Sequence, residues 1–128
     1  MVTGSYYCKL NCLPFAFNLT REGLVEFYEQ DGELRGVMIG TFFWVNSYFC
    51  GGKIDGDSFE FTAPFNTACQ QYVLHVKGTV KGDELEAVVE SEMGPLTLTG
   101  YRVKDSYENK YAAFPIYQRT LKQSEECK

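Results

Sequence analysis

The sequence has no long apolar run, no cluster of basic residues and a single histidine, and each lack excludes a class of function. No stretch approaches the roughly 20 consecutive apolar residues of a helical membrane span. The opening MVTGSYYCKLNCLPFAF has neither a charged n-region nor a sustained apolar run, so it does not read as a signal peptide. Twelve Lys and Arg stand against 17 Asp and Glu, a net charge of −5. With no Lys/Arg stripe to meet phosphates, nucleic acid and anionic membrane surfaces are excluded as partners. His75 falls at an outward position of its strand, so neither a Ser-His nor a Cys-His catalytic pair has support. Every glycine cluster lies in a hairpin rather than at a helix start, which removes phosphate-cradling loops and dinucleotide fingerprints. The five cysteines, an odd number without an export signal, predict free thiols and a cytoplasmic setting.

What is present is aromatic. Ten Phe, nine Tyr and one Trp among 128 residues favour pleated surfaces, and the length suits one domain with a real core. Alternating runs are separated by turns at Asp31-Gly32, Asp55-Gly56, Lys81-Gly82 and Gly94-Pro95. Asp-Gly between alternating runs signals a two-residue type I′ hairpin loop, which needs positive φ at both positions. Eight strands follow, at about 4–12, 22–29, 33–40, 44–54, 57–63, 70–80, 84–92 and 96–104. Hairpin-only connections favour a closed up-and-down barrel over a sandwich, which usually needs crossing links. The predicted fold is therefore all-β: an eight-stranded antiparallel barrel over residues 1–104, with a partly helical tail over 105–128. In the tail, Tyr107, Tyr111 and Phe114 recur at helical spacing before Pro115 interrupts it, and the polar KQSEECK end is expected to fray. The tail leaves from the end of the tight turns, so it should pack along the barrel wall or on a second subunit.

The repeated stretches GKIDGDSFEF (52–61) and GTVKGDELEA (78–87) look acidic enough for a metal. A calcium loop needs several convergent oxygens. Here Asp55 and Asp57 flank Gly56, while the second copy keeps only Asp83, so these carboxylates read as solvated turn residues. Cys8 and Cys12 would lie on one face of a strand but about 13 Å apart, too far to share a zinc ion or a disulfide. No metal and no cofactor is expected. Cys8 and Cys50 would meet inside the barrel as small apolar fillers.

The repeat Gly-x-Val/Ile-x-Gly-Asp-x-Phe/Leu and the closing Leu96, Leu98, Gly100, Arg102, Val103 resemble small bacterial calycin-like barrels, related in shape to lipocalins and avidins. Gly4-Ser5-Tyr6 is similar to the lipocalin Gly-x-Trp opening, with Tyr in place of Trp. The resemblance spans residues 3–104 and implies a ligand-holding barrel.

Alternation then assigns faces. Tyr72, Leu74, Val76 and Val80 point inward on the sixth strand, and Leu85, Ala87 and Val89 on the seventh, with Glu84, Glu86, Glu90 and Glu92 outward. Phe59 and Phe61 point inward, and extending the phase of Ile54 backward adds Cys50, Tyr48, Asn46 and Trp44. Arg102 shares the inward face of the last strand, beside Tyr6 of the first. A guanidinium over an aromatic face closes a barrel, as a Trp and a cation do in lipocalins; the other reading makes Arg102 an anchor for an anionic ligand.

The tight turns close one end, and the longer connections 12–22, 40–44 and 63–70 form the other, carrying Phe15, Phe17, Phe42, Phe43 and Phe65. Such an apolar rim is a ligand mouth, an oligomer interface or an inward-folded plug. The first function expected is a binding protein for a small apolar or aromatic molecule. Its walls would be Trp44, Tyr48, Cys50, Phe59, Phe61 and Tyr72, with Asn46, Arg102 and Tyr6 as polar contacts. A cofactor-independent isomerase or cyclase acting on such a ligand is the second, and an interaction module with a filled barrel the third. A homo-oligomer would form through the tail or the rim.

Overall fold

The computed structural model of the chain describes residues 1–11, 20–40, 47–66, 71–92, 94–103 and 115–127. Eight strands, β1 (Gly4–Asn11), β2 (Thr20–Gln30), β3 (Glu33–Gly40), β4 (Ser47–Asp55), β5 (Ser58–Asn66), β6 (Gln71–Lys81), β7 (Glu84–Ser91) and β8 (Gly94–Arg102), precede one helix, α1 (Pro115–Glu125). Each strand pairs antiparallel with its sequence neighbours, and β8 returns to β1, so the sheet is a closed up-and-down barrel.

Three hairpin loops share one end. Asp31 and Gly32 both have positive φ (55° and 78°), the type I′ signature. The next two loops sit one residue later than the sequence suggested: Asp55 pairs with Ser58 and Lys81 with Glu84, leaving Gly56-Asp57 and Gly82-Asp83 as the loops. There only the glycine has positive φ (63° and 62°), the pattern of a II′ turn, whose first central residue is glycine.

The larger departure is in β4. Leu34 pairs with Gly52 but Gly36 pairs with Phe49, so Cys50 and Gly51 together oppose Arg35. This is a β-bulge, with Gly51 in the left-handed region at φ 73°. One extra residue reverses the face of everything before it. Phe49 and Ser47 therefore point inward, while Tyr48 and Cys50, expected inside, lie on the outer wall. The interior also needs Gly36, since a Cβ there would stand 2.1 Å from the Glu26 carbonyl oxygen and 2.6 Å from the Phe49 ring.

Two apolar clusters result. The interior holds residues from all eight strands, among them Tyr6, Cys8, Leu10, Phe27, Leu34, Phe49, Phe59, Phe61, Leu85 and Leu98. A smaller cluster on the outer wall joins Leu24, Val37 and Ile39 to Tyr7, Tyr48, Val103 and Leu121 of α1. Pro115 opens this helix rather than interrupting one, because its missing N–H costs nothing in a first turn. The polar end does not fray. Arg35 Nη1 donates to the carbonyls of Ser124 (3.1 Å) and Glu125 (2.8 Å), Gln30 donates to the Glu125 carbonyl, and Tyr28 and Ser124 share a hydrogen bond. A cation on the last carbonyls also suits the negative end of the helix dipole. Cys127 is bonded to Cys50, so two of the thiols expected to be free form a disulfide. Among the described residues, no helix is long and apolar enough to cross a membrane.

Candidate functional site

The interior changes character from one end to the other. Towards the tight turns it is filled by rings: Phe27 lies 5.0 Å from Phe59, 5.7 Å from both Phe61 and Tyr6, and 5.9 Å from Phe49. Phe49 stacks on Phe61 at 3.9 Å with an interplanar angle of 12°. Offset and edge-to-face aromatic pairs of this kind contribute about 0.5–1.5 kcal/mol each beyond their buried area. Phe59 and Phe61, expected as ligand walls, are thus members of an aromatic plug.

Below the plug the barrel is sealed. Tyr6 pairs with Arg102 across β1 and β8, and the guanidinium carbon lies 4.8 Å from its ring centre. Arg102 donates to the carbonyls of Thr3 (2.7 Å) and Met1 (2.6 Å) and approaches Asp83 at 3.4 Å. The Tyr6 hydroxyl donates to the Val2 carbonyl at 2.7 Å. Burial raises the Tyr6 pKa, and the Arg102 charge opposes that rise. Arg102 thus makes the ring contact and the strand-end hydrogen bonds expected of barrel closure.

At the end with the longer connections, the inward side chains among the described residues include smaller ones. Met38 near the end of β3, Ser47 at the start of β4, Ala63 of β5 and Leu74 of β6 are all buried on the inner face. Ser47 is 5% exposed, and its hydroxyl has no hydrogen-bond partner among the described residues. A buried hydroxyl left without a partner costs about 1–3 kcal/mol, so its presence in an apolar lining asks for a reason. Cys8 is buried in the interior without Cys50 beside it, and burial pushes its thiol far up, which makes it a poor nucleophile.

Tyr48 packs on the outer wall and Cys50 is in the disulfide, so neither lines the interior. Trp44, Asn46, Phe15, Phe17, Phe42 and Phe43 lie outside the described residues, as do the side chains of Phe65 and Tyr72, which pair in the β5–β6 register. Phe65 stands on a strand rather than in a connection. Phe27, Phe49 and Ser47 were missed. The Gly51-Gly52 pair inside a strand was the available signal for the last two, since strand glycines often mark bulges. For Phe27, the Asp31-Gly32 turn fixes the register that sets it opposite Gly36.

Outside the barrel, a shallow depression of about 480 Å³ crosses β4, β5 and β6. There Lys53 and Lys77 lie 3.8 and 3.9 Å from Glu60. Among the described residues, no three His, Cys, Asp or Glu side chains converge as a metal set.

One solved structure similar to this chain is a redesigned β-barrel. It is 14% identical, aligned over 80% of this chain and 92% of its own, with a TM-score of 0.59. The likeness shows the barrel fold alone. No protein-family model and no curated protein sequence matches the chain.

Proposed function

We propose that the chain is a small-molecule-binding barrel whose site is the end carrying the longer connections, above the aromatic plug. The observation that carries this reading is the buried, unpartnered hydroxyl of Ser47 among apolar neighbours. Pockets for small ligands are mostly apolar with a few placed polar groups, and Ser47 fits that second role. Phe49 and Phe61 would be the floor, Met38, Ala63 and Leu74 the walls, and the aromatic connections the rim. The ligand is a small apolar or aromatic molecule with one hydrogen-bonding atom. The resemblance to calycin-like barrels supports the same reading.

A filled barrel serving as an interaction module is the second reading, favoured by the continuous packing from Val2 to Leu98. A cytoplasmic setting, proposed from free thiols, is weakened by the Cys50–Cys127 bond, because disulfides persist chiefly in oxidising compartments.

The test is titration with 8-anilinonaphthalene-1-sulfonate, read by its emission and by quenching of the lone Trp44, alongside native mass spectrometry of freshly purified protein. Saturable binding to the folded protein, weakened at least tenfold in Ser47→Phe, supports the site. Absence of saturable binding and of any co-purifying molecule rejects it in favour of the filled module.

A further inference from the structure

We propose that the Cys50–Cys127 disulfide is a redox latch that fastens α1 over the apolar outer wall and releases it on reduction. Three features converge on it. The bulge at Cys50-Gly51 turns a cysteine that regular pairing would bury inward onto the outer wall, facing the helix. Both cysteines are partly exposed, unlike Cys8 in the core, which leaves the bond open to a reductant. The other contacts of the helix are non-covalent, among them Leu121 on the Leu24, Val37 and Ile39 cluster and the last turn on Arg35, Tyr28 and Gln30.

The exchange is a two-electron step. A dithiol reductant attacks one sulfur as its thiolate, a mixed disulfide forms, and its second thiol displaces the protein sulfur. Two electrons and two protons pass to the protein, giving the Cys50 and Cys127 thiols and the oxidised reductant. The barrel does not depend on the bond, because β1–β8 close through their own ladder. What the bond restrains, with the barrel folded, is α1 and the residues that follow it to Cys127. Arg35 remains in place to guide the helix back, and exchange with a disulfide oxidant, which leaves as its two thiols, re-forms the Cys50–Cys127 bond.

A disulfide closing a loop of this size shifts an opening equilibrium by roughly a hundredfold. Amide hydrogen exchange of the full chain, oxidised and in dithiothreitol, tests the proposal together with counts of reactive thiols. Expected are two more thiols after reduction, exchange over 115–125 faster by roughly a hundredfold, and unchanged exchange in the strands. Cys127→Ser without reductant should match the reduced protein. The latch is overturned if the oxidised protein titrates all five cysteines. It is equally overturned if the helix stays fully protected on reduction and in Cys127→Ser, or if the strands lose protection with it.

Discussion

Replacing Phe49 tests the bulge that sets the interior. Phe49 is 2% exposed, stacks on Phe61 at 3.9 Å and meets Phe27 edge-on at 5.9 Å. Truncation to alanine removes about 1.5–3 kcal/mol of burial, forfeits two ring contacts and leaves a cavity between rings that cannot collapse. The sum places Phe49→Ala at about 3–5 kcal/mol. Tyr48, on the outer wall, keeps part of its ring in solvent and packs on Leu24, Val37 and Ile39, so Tyr48→Ala should cost about 1–2 kcal/mol. Urea denaturation of both variants, with slopes compared to the parent, measures the difference directly. Phe49→Ala should also lower Tm by roughly 10–20 °C, at a few degrees per kcal/mol for a chain of this size. A strand without the bulge would put Tyr48 inside and Phe49 outside, and the order would invert. A larger loss in Tyr48→Ala than in Phe49→Ala therefore refutes the bulge and the interior built on it.

Two other substitutions read the electrostatics. Glu26 on the outer wall is half-buried, its Oε2 has no hydrogen-bond partner, and burial raises its pKa. A carboxyl whose folded pKa lies above its unfolded one carries no penalty in acid, where both states are protonated, and loses stability as pH rises from the unfolded value through the folded one. Glu26→Gln should thus stabilise the protein at neutral pH, with the gain vanishing below the ordinary carboxylate range. Denaturation midpoints from pH 3 to 8 check this, and a gain independent of pH contradicts it. Arg102→Met removes the ring contact with Tyr6 and two charge-assisted hydrogen bonds to the Met1 and Thr3 carbonyls, at a cost of about 2–3 kcal/mol. If Arg102 anchors a ligand instead, the loss will appear in probe binding and leave the denaturation midpoint almost unmoved.

Strand number, order and most faces were legible in the chain because local chemistry determines them. Glycine at the turns, and strict alternation in β6 and β7, place Leu74, Val76, Val80, Leu85, Ala87 and Val89 inward whatever lies around them. The Tyr6–Arg102 closure was legible too, since a closed barrel must pair its first and last strands. The face of β4 was not. A single extra residue at Gly51 reverses it, and whether a glycine bulges or stays regular depends on what the partner strand offers: here Gly36 leaves room for the Phe49 ring, and Arg35 spans the two opposing residues.

The same limit applied to the tail. A proline after an aromatic stripe reads as an interruption, and a polar end reads as frayed, until the Arg35 guanidinium and Cys50 are brought beside it. By itself the sequence determined an eight-stranded closed barrel and the location of its sealed end, because turns and alternation act between neighbours in the chain. Only the tertiary structure decided which residues of β4 face inward, that Cys50 meets Cys127, and that Ser47 is left unpartnered, because each depends on groups brought together from distant parts of the chain.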